Sequence, residues 1–348
     1  MDIHELKAFI QYFNLESLKV NYGYKRVLVQ LFGYLGHGKS SFINSCKYVL
    51  DGGPYENCAG AGSSDEGRTT KRISYKLTDR IILVDNRGCA TMSSYETGEI
   101  FAQLVNLLPL DQTVEWSKGF QLVNRIVEAE SEVQKSDFIF PVFIYSLKMG
   151  IYEQDIGNIG NLLVTAQKLT GMFPFVVLTH KTHGKLTEIE SIFQDMGAER
   201  IFAFENYTPE DHFKTRGKHE EVLKFFNEVI KEVHFLLEQP RIPEIDFKQR
   251  KQLVLKFIYD REMESQRDHQ EERREAERIY HRLRMDSMHI KSKLQIAEEK
   301  RTFEEEMKKL EEKYEALRLS DNQRFMAEMR EFERQMEKKY KKDNCRIQ

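Results

Sequence analysis

Short apolar runs recur along the first two thirds of the chain, and turns or helical patterns follow them. They lie at residues 27–32, 70–77, 80–85, 138–145, 173–180 and 200–206. Most lack polar alternation, which is typical of strands that are buried on both faces of a sheet. Because helical patterns separate the later runs, the sequence predicts an α/β fold with a mainly parallel sheet covered by helices.

Helical spacing marks both ends of this region. Residues 1–24 form an amphipathic helix candidate. The last helix before the prolines has an apolar stripe that consists of Val222, Phe225, Phe226, Val229, Ile230 and Val233. Pro240 and Pro243 then interrupt the pattern. We therefore predict a domain over residues 25–240, and we expect two helices in its 96–137 insertion.

A long helical arm is predicted over residues 248–343, which are glycine-free and rich in charged helix-forming residues. Apolar residues at alternating spacings of four and three indicate a coiled-coil seam, which resumes after a four-residue stutter. The seam residues are Phe303, Met307, Leu310, Tyr314, Leu317, Phe325, Met329, Phe332 and Met336. The alternatives to self-association are a solvated single helix and a helix folded back on the preceding domain.

Composition restricts the class of protein. The chain has 348 residues, of which 31% are charged and 40% hydrophobic, and its net charge is −3. This composition is typical of a soluble protein and gives no reason to expect a nucleic-acid partner. The four cysteines show no paired C-x-x-C spacing. Because the chain also has no apolar stretch of about 18 residues and no signal-like N-terminus, we expect a reduced, cytoplasmic setting.

A phosphate-binding loop follows the first strand. The sequence Gly33-x-x-x-x-Gly38-Lys39-Ser40 lies between a predicted strand and a predicted helix, which is the context that this motif requires. Its glycines permit positive φ, and its N–H groups with the helix N-terminus attract phosphate oxygens. The predicted phosphate-binding residues are Gly33, Gly36, His37, Gly38, Lys39, Ser40 and Ser41. Lys39 is expected to reach the β- and γ-phosphates.

A second element follows the buried strand at residues 80–85. Asp85 and Gly88 form a D-x-x-G motif at its end, where the aspartate would hold Mg²⁺ and the glycine N–H would contact the γ-phosphate. Ser40 and Asp85 are predicted Mg²⁺ ligands. The third ligand is predicted to be Thr70, although spacing alone does not distinguish it from Thr69. Lys39 and Thr70 are the predicted catalytic residues.

These motifs resemble the G domains of P-loop GTPases. The guanine-reading Asn-Lys-x-Asp of that class is replaced by Thr179-His180-Lys181-Thr182, so its carboxylate is missing. Thr179-His180 together with Glu205-Asn206 resembles the arrangement in chloroplast import-receptor GTPases and immune-associated nucleotide-binding GTPases. That resemblance implies that His180 stacks on the base and Glu205 reads its edge with help from Asn206. The alternative is that these residues are ordinary polar loop residues at strand ends.

The whole domain is similar to the interferon-induced protein 44 family. The resemblance rests on GYLGHGKSSF, Leu178-Thr179-His180 and Asn206-Tyr207-Thr208, and it covers residues 26–237. It implies an interferon-linked, cytoplasmic GTP-binding protein whose enzymology is poorly defined. This chain departs from the family at Lys181-Thr182, where the family has a pair containing Asp.

Slow hydrolysis is expected, because Cys89 stands where small GTPases carry the glutamine that orients water. Arg68 is a candidate for the stabilising arginine, although charge alone does not place it. We predict a slow GTPase that uses GTP, GDP and Mg²⁺ and forms a homodimer or a higher assembly. The alternatives are a nucleotide-dependent scaffold with little hydrolysis and an ATP-binding P-loop protein.

The last four residues, Cys345-Arg346-Ile347-Gln348, fit a farnesylation pattern, and a lysine-rich segment precedes them. Because one lipid chain binds weakly, the neighbouring basic charge would supply the second signal for peripheral membrane attachment. The alternative is a chance terminal cysteine in a charged tail.

Overall fold

A computed structural model of the chain describes residues 2–17, 22–60, 71–90, 94–114, 116–117, 119–288 and 293–344. These residues divide into two compact units, Met1–Tyr259 and Asp260–Gln348.

The first unit is built on a seven-stranded sheet with the order β4-β2-β3-β1-β5-β6-β7. The strands are β1 Arg26–Phe32, β2 Lys71–Lys76, β3 Ile81–Asp85, β4 Gln112–Thr113, β5 Asp137–Ser146, β6 Phe175–Thr179 and β7 Ile201–Phe204. Strands β3, β1, β5, β6 and β7 pair in parallel, whereas β2 pairs antiparallel with both β3 and β4. The predicted mainly parallel sheet is therefore confirmed. The sequence did not predict β4, which consists of only two residues, both of them exposed.

Helices cover both faces of this sheet. The helices of the chain are α1 Ile3–Gln11, α2 Lys39–Asp51, α3 Ser94–Leu104, α4 Gly119–Glu128, α5 Glu153–Thr170, α6 Leu186–Asp195, α7 Arg216–Leu237, α8 Pro243–Met288 and α9 Lys293–Asn344. One apolar core joins α1, α2 and α7 to the sheet. A second core on the opposite face joins it to α3, α4, α5, α6 and the beginning of α8. The central strands are apolar throughout because both of their faces are covered.

The first unit extends further than the predicted boundary at residue 240, because α8 begins inside it. Val254 and Ile258 of α8 are buried in the second core. The ring of Phe257 packs edge-on against Phe101 of α3 at 4.9 Å between centroids. The beginning of α8 therefore belongs to the sheet domain rather than to an arm.

The second unit contains the remainder of α8 and α9, and both are helical, as the sequence predicts for the arm. Tyr280 stacks on Phe303 at 4.7 Å between ring centroids. Arg273 lies 3.2 Å from Glu311. Arg273 precedes Tyr280 in α8, whereas its partner Glu311 comes after Phe303 in α9. The two helices therefore run antiparallel there.

The coiled coil itself stays a prediction. The seam residues Leu310, Tyr314 and Leu317 are 43%, 61% and 57% exposed. Among the described residues, we find no helix with the length and apolar character needed to cross a bilayer. The predicted lipidation residue, Cys345, lies outside the described part of the chain.

Candidate functional site

The loop between β1 and α2 lies where the sheet connections diverge. β1 pairs with β3 on one side and with β5 on the other. In open α/β sheets, such a divergence creates a crevice at the carboxyl ends of the strands, and ligands bind there. The topology thus places the predicted phosphate loop at the expected binding edge.

The loop conformation requires glycine at two positions. Gly33 has φ +138°, and a Cβ there would overlap the carbonyl oxygen of Ile144. Gly38 has φ +89° and is the N-cap residue directly before α2, and its Cβ would lie 3.2 Å from the Thr179 side chain. Gly36 also has positive φ, but the space beside it is open. The close approach of β5 and β6 thus shapes the loop.

Lys39 is buried at the first position of α2. Its Nζ donates to the carbonyl oxygen of Tyr34 at 2.9 Å and lies 3.5 Å from that of Gly33. Burial lowers the pKa of Lys39, although the nearby Asp85 and Cys89 oppose this effect. The ammonium group is therefore held inside the loop by carbonyl oxygens that a triphosphate could replace as partners.

Ser40 and Asp85, the predicted Mg²⁺ ligands, are joined by a direct hydrogen bond. The Ser40 hydroxyl donates to Oδ2 of Asp85 at 2.7 Å, and Asp85 is only 2% exposed. Oxygen ligands of this kind suit Mg²⁺, which proteins commonly bind through one or two carboxylates together with substrate phosphates. The described residues contain no group of three His, Cys, Asp or Glu side chains that could hold a metal. Thr69, Thr70 and Arg68 lie outside the described residues.

The D-x-x-G segment lies directly against the phosphate loop. Cys89 forms a parallel bridge with Tyr34, in which Leu35 N–H donates to the Cys89 carbonyl at 2.9 Å. A Cβ on Gly88 would lie 2.6 Å from Lys39 Nζ. The segment thus lies next to the buried ammonium group of Lys39.

The Cys89 side chain contacts the phosphate loop. Its Sγ lies 3.6 Å from the Gly33 carbonyl oxygen, and the residue is fully buried. Burial raises the pKa of the thiol to about 12. A neutral buried thiol that contacts a loop carbonyl is a poor group for orienting water.

Sequence reasoning missed Arg72, which connects β2 to this segment. The fully buried guanidinium donates to Asn86 at 2.9 Å, to Gln30 at 3.2 Å and to Asn106 at 2.9 Å. It also donates to the carbonyl oxygens of Gln103 and Leu108. Burial lowers the pKa of Arg72 to about 9, which leaves it charged at neutral pH. Arg72 thereby fixes Asn86, the residue after Asp85.

Thr179 holds the phosphate loop in place. Its buried hydroxyl donates to the His37 carbonyl oxygen at 2.9 Å. The His37 ring is also held, since Nδ1 accepts from the Ser146 N–H at 3.2 Å. Burial, with smaller contributions from Lys39 and His180, lowers the pKa of His37 to about 4. Ser146 was missed, although its position at the end of β5 could have indicated it.

His180 lies at the end of β6 with φ +59°, a conformation that is uncommon for a residue other than glycine. Its Nδ1 lies 3.0 Å from the Ser146 hydroxyl. Burial and the charge of Lys148 lower its pKa, while Glu205 opposes them. A neutral, partly exposed imidazole offers a flat face on which a base can stack.

Glu205 meets the loop that follows β6. Its Oε2 accepts from the Thr182 N–H at 2.9 Å and from the Thr182 hydroxyl at 2.7 Å. Burial acts to raise the pKa of Glu205, but the Thr182 hydrogen bonds outweigh it and the net direction is downward. The carboxylate is therefore ionised beside the residue that replaces the missing aspartate.

Asn206 lies against α2. Its Oδ1 is 3.5 Å from the hydroxyl of Ser45, which also accepts from the Tyr207 N–H at 2.8 Å. Ser41, one turn earlier, accepts the Ser45 hydroxyl through its carbonyl oxygen at 2.9 Å. These bonds join the loop after β7 to the helix that begins at the phosphate loop.

No protein-family model and no curated protein matches this chain. Similar solved structures include one of a Thermus thermophilus protein, which is 14% identical over 66% of this chain and 36% of its own, with a TM-score of 0.31. Another is a mutation variant of SsGBP, which is 14% identical over 62% of this chain and 57% of its own, with a TM-score of 0.27. The chain thus spans about a third and about half of those proteins, and at these TM-scores neither supports an argument about function.

Proposed function

We propose that this chain is a GTP-binding protein whose first unit is a P-loop GTPase domain. The observation that carries the proposal is the hydrogen bond between Ser40 and Asp85, with Lys39 buried in the loop beside them. A serine from the phosphate loop and an aspartate from a neighbouring strand are the protein ligands that hold Mg²⁺ in P-loop enzymes.

Mg²⁺ would be held by Ser40 and Asp85, with Thr70 as a further ligand. The metal would neutralise charge that develops on the phosphates. Lys39 would exchange its contact with the Tyr34 carbonyl for phosphate oxygens. Gly88, which is close to Lys39 Nζ, would donate its N–H to the γ-phosphate.

Guanine is the base that the opposite end of the site favours. Glu205 supplies an ionised carboxylate next to Thr182, and His180 supplies a neutral ring. A carboxylate accepts from both N–H groups on the guanine edge, whereas it opposes the ring nitrogen acceptor of adenine.

Intrinsic hydrolysis is proposed to be slow. Cys89 is buried against the Gly33 carbonyl, and its neutral thiol is a poor group for orienting water. This favours, as a second candidate function, a nucleotide-dependent assembly protein with little turnover. In both cases we propose that nucleotide binding regulates self-association, to which the exposed seam on α9 contributes.

The test is an equilibrium titration of the full chain with GTP, GDP and ATP, followed by a single-turnover assay. GTP and GDP are expected to bind more tightly than ATP, and Glu205→Ala is expected to reduce this difference. Hydrolysis is expected to be slow and to accelerate with protein concentration. Tighter ATP binding would contradict the choice of base, and rapid hydrolysis independent of concentration would contradict the proposed mechanism.

A further inference from the structure

The two base-side loops leave the same edge of the sheet from neighbouring parallel strands. Thr179 of β6 is in register with Phe204 of β7. The Lys181 N–H continues the pairing beyond the strand, since it donates to the Phe204 carbonyl at 3.0 Å. Thr182 and Glu205 are therefore brought together by the sheet itself rather than by a chance loop conformation.

Thr182 donates two hydrogen bonds to one oxygen of Glu205. The backbone N–H and the hydroxyl donate to Oε2 at 2.9 Å and 2.7 Å. The Thr182 hydroxyl also lies 3.1 Å from Nδ1 of His183. Oε1 of Glu205 takes part in neither of the two bonds from Thr182. A carboxylate has about four lone-pair sites, so both oxygens retain capacity for further donors.

The sequence position of Thr182 relates its contact with Glu205 to base recognition. Thr182 occupies the fourth place of the Asn-Lys-x-Asp pattern, where a carboxylate would read guanine directly. A threonine side chain has no negative charge and only one oxygen, so it cannot replace a carboxylate that accepts from two guanine N–H groups. It can, however, hold a carboxylate that arrives from the adjacent loop.

We propose that Thr182 is a positioning residue for guanine recognition, which fixes the carboxylate of Glu205 at the place where the missing aspartate would act. This inference rests on the proposed function, since it needs a nucleotide in the site. Without the Thr182 hydroxyl, the Glu205 side chain regains rotamers that do not face the base, and selectivity for guanine decreases.

The test compares the ratio of GTP affinity to ATP affinity in matched variants of the full chain, measured by competition against a fluorescent triphosphate. Thr182→Val removes the hydroxyl but keeps the shape, and it is expected to reduce the ratio roughly tenfold, as for the loss of one hydrogen bond to a charged group. Thr182→Ser is expected to retain the ratio. Thr208→Val is the control, because that hydroxyl lies in the loop after β7 and accepts the Asp211 N–H at 3.1 Å.

A relocation experiment tests the geometry independently. Glu205→Ala is expected to lose the preference for GTP, and adding Thr182→Asp to it is expected to restore much of that preference, since the carboxylate returns to the same place from the other loop. Both positions lie in partly or fully exposed loop segments, so the variants should fold, and circular dichroism would verify this.

The outcomes separate this inference from the proposed function. If the wild type prefers GTP and Thr182→Val has the wild-type ratio, or the double variant shows no recovery, the inference about Thr182 is overturned while GTP binding stands. If the wild type binds no nucleotide, or binds GTP and ATP equally, the proposed function fails and the inference fails with it.

Discussion

The bond between Thr179 and the phosphate loop provides a prediction with a defined magnitude. Thr179→Val keeps the shape of a fully buried side chain but removes the hydroxyl that donates to the His37 carbonyl at 2.9 Å. A buried acceptor that loses its donor costs about 1–3 kcal/mol, so the free energy of unfolding should fall by about that amount. Thr179→Ser keeps the hydroxyl and should lose less.

Nucleotide affinity should fall as well, because the loop that holds the phosphates loses a brace. GTP and ATP share the phosphate chain, so both should weaken by the same factor and their ratio should not change. The assays are urea unfolding monitored by circular dichroism and competition binding with both nucleotides.

Thr170→Val is a matched control. Thr170 is also a buried threonine, and its single hydroxyl proton is shared between the carbonyl oxygens of Ala166 at 2.8 Å and Met172 at 3.0 Å. Its loss should destabilise the fold by a similar amount and leave nucleotide affinity unchanged. The reasoning is refuted if Thr179→Val is as stable as the wild type, or if both threonine variants change affinity equally.

Three further predictions follow from buried groups near the site. Arg72→Met should lower the free energy of unfolding by roughly 3 kcal/mol, because two carbonyl oxygens and three amide side chains lose a donor, and urea unfolding would measure this. The pKa of His37 is about 4 when folded and near 6.5 when unfolded, so unfolding takes up a proton below pH 6.5. Stability should therefore fall by about 2 kcal/mol from pH 7 to pH 5, and His37→Leu should lack this part of the slope. Gly88→Ala should weaken triphosphate binding, since its Cβ would lie 2.6 Å from Lys39 Nζ; equal affinity in a direct titration would contradict that packing.

The parts of the site that sequence predicted are those that strand ends determine. Asp85 ends β3, and Ser40 lies just beyond the loop that follows β1. These two strands are neighbours, so the two motifs could be expected to lie close together. His180 follows β6 and Glu205 follows β7, and because these parallel strands are also neighbours, both residues lie at the same edge of the sheet. The direction of each side chain was not predictable, because it depends on partners from other strands. Thr179 illustrates this, since its hydroxyl faces the phosphate loop.

The buried position of Arg72 also could not be predicted from the sequence. Its acceptors come from β1, from the segment after β3 and from α3 with the loop that follows it, and no local pattern identifies such a set. A charged residue in a strand is ordinarily expected to face solvent.

The first unit extends past residue 240 because a proline can begin a helix as well as interrupt one. Pro243 was interpreted as an interruption, but it is the first residue of α8, where proline is well tolerated because its missing N–H needs no partner. The charged pattern after it also misled, since Lys251 is buried with its Nζ 2.8 Å from Glu130. Paired charges can lie inside a fold, and a charge pattern alone does not show the pairing.

We propose that Ser40, Asp85 and Lys39 form a site for a magnesium-bound guanine nucleotide. The most direct test is an isothermal titration of the full chain with GTP in the presence of Mg²⁺ and then in excess EDTA, repeated with Ser40→Ala. The wild type should bind one GTP per chain, removal of Mg²⁺ should weaken binding at least tenfold, and Ser40→Ala should bind weakly with no further loss in EDTA. Failure of the wild type to bind GTP, or equal affinity with and without Mg²⁺, would show that these residues do not form such a site.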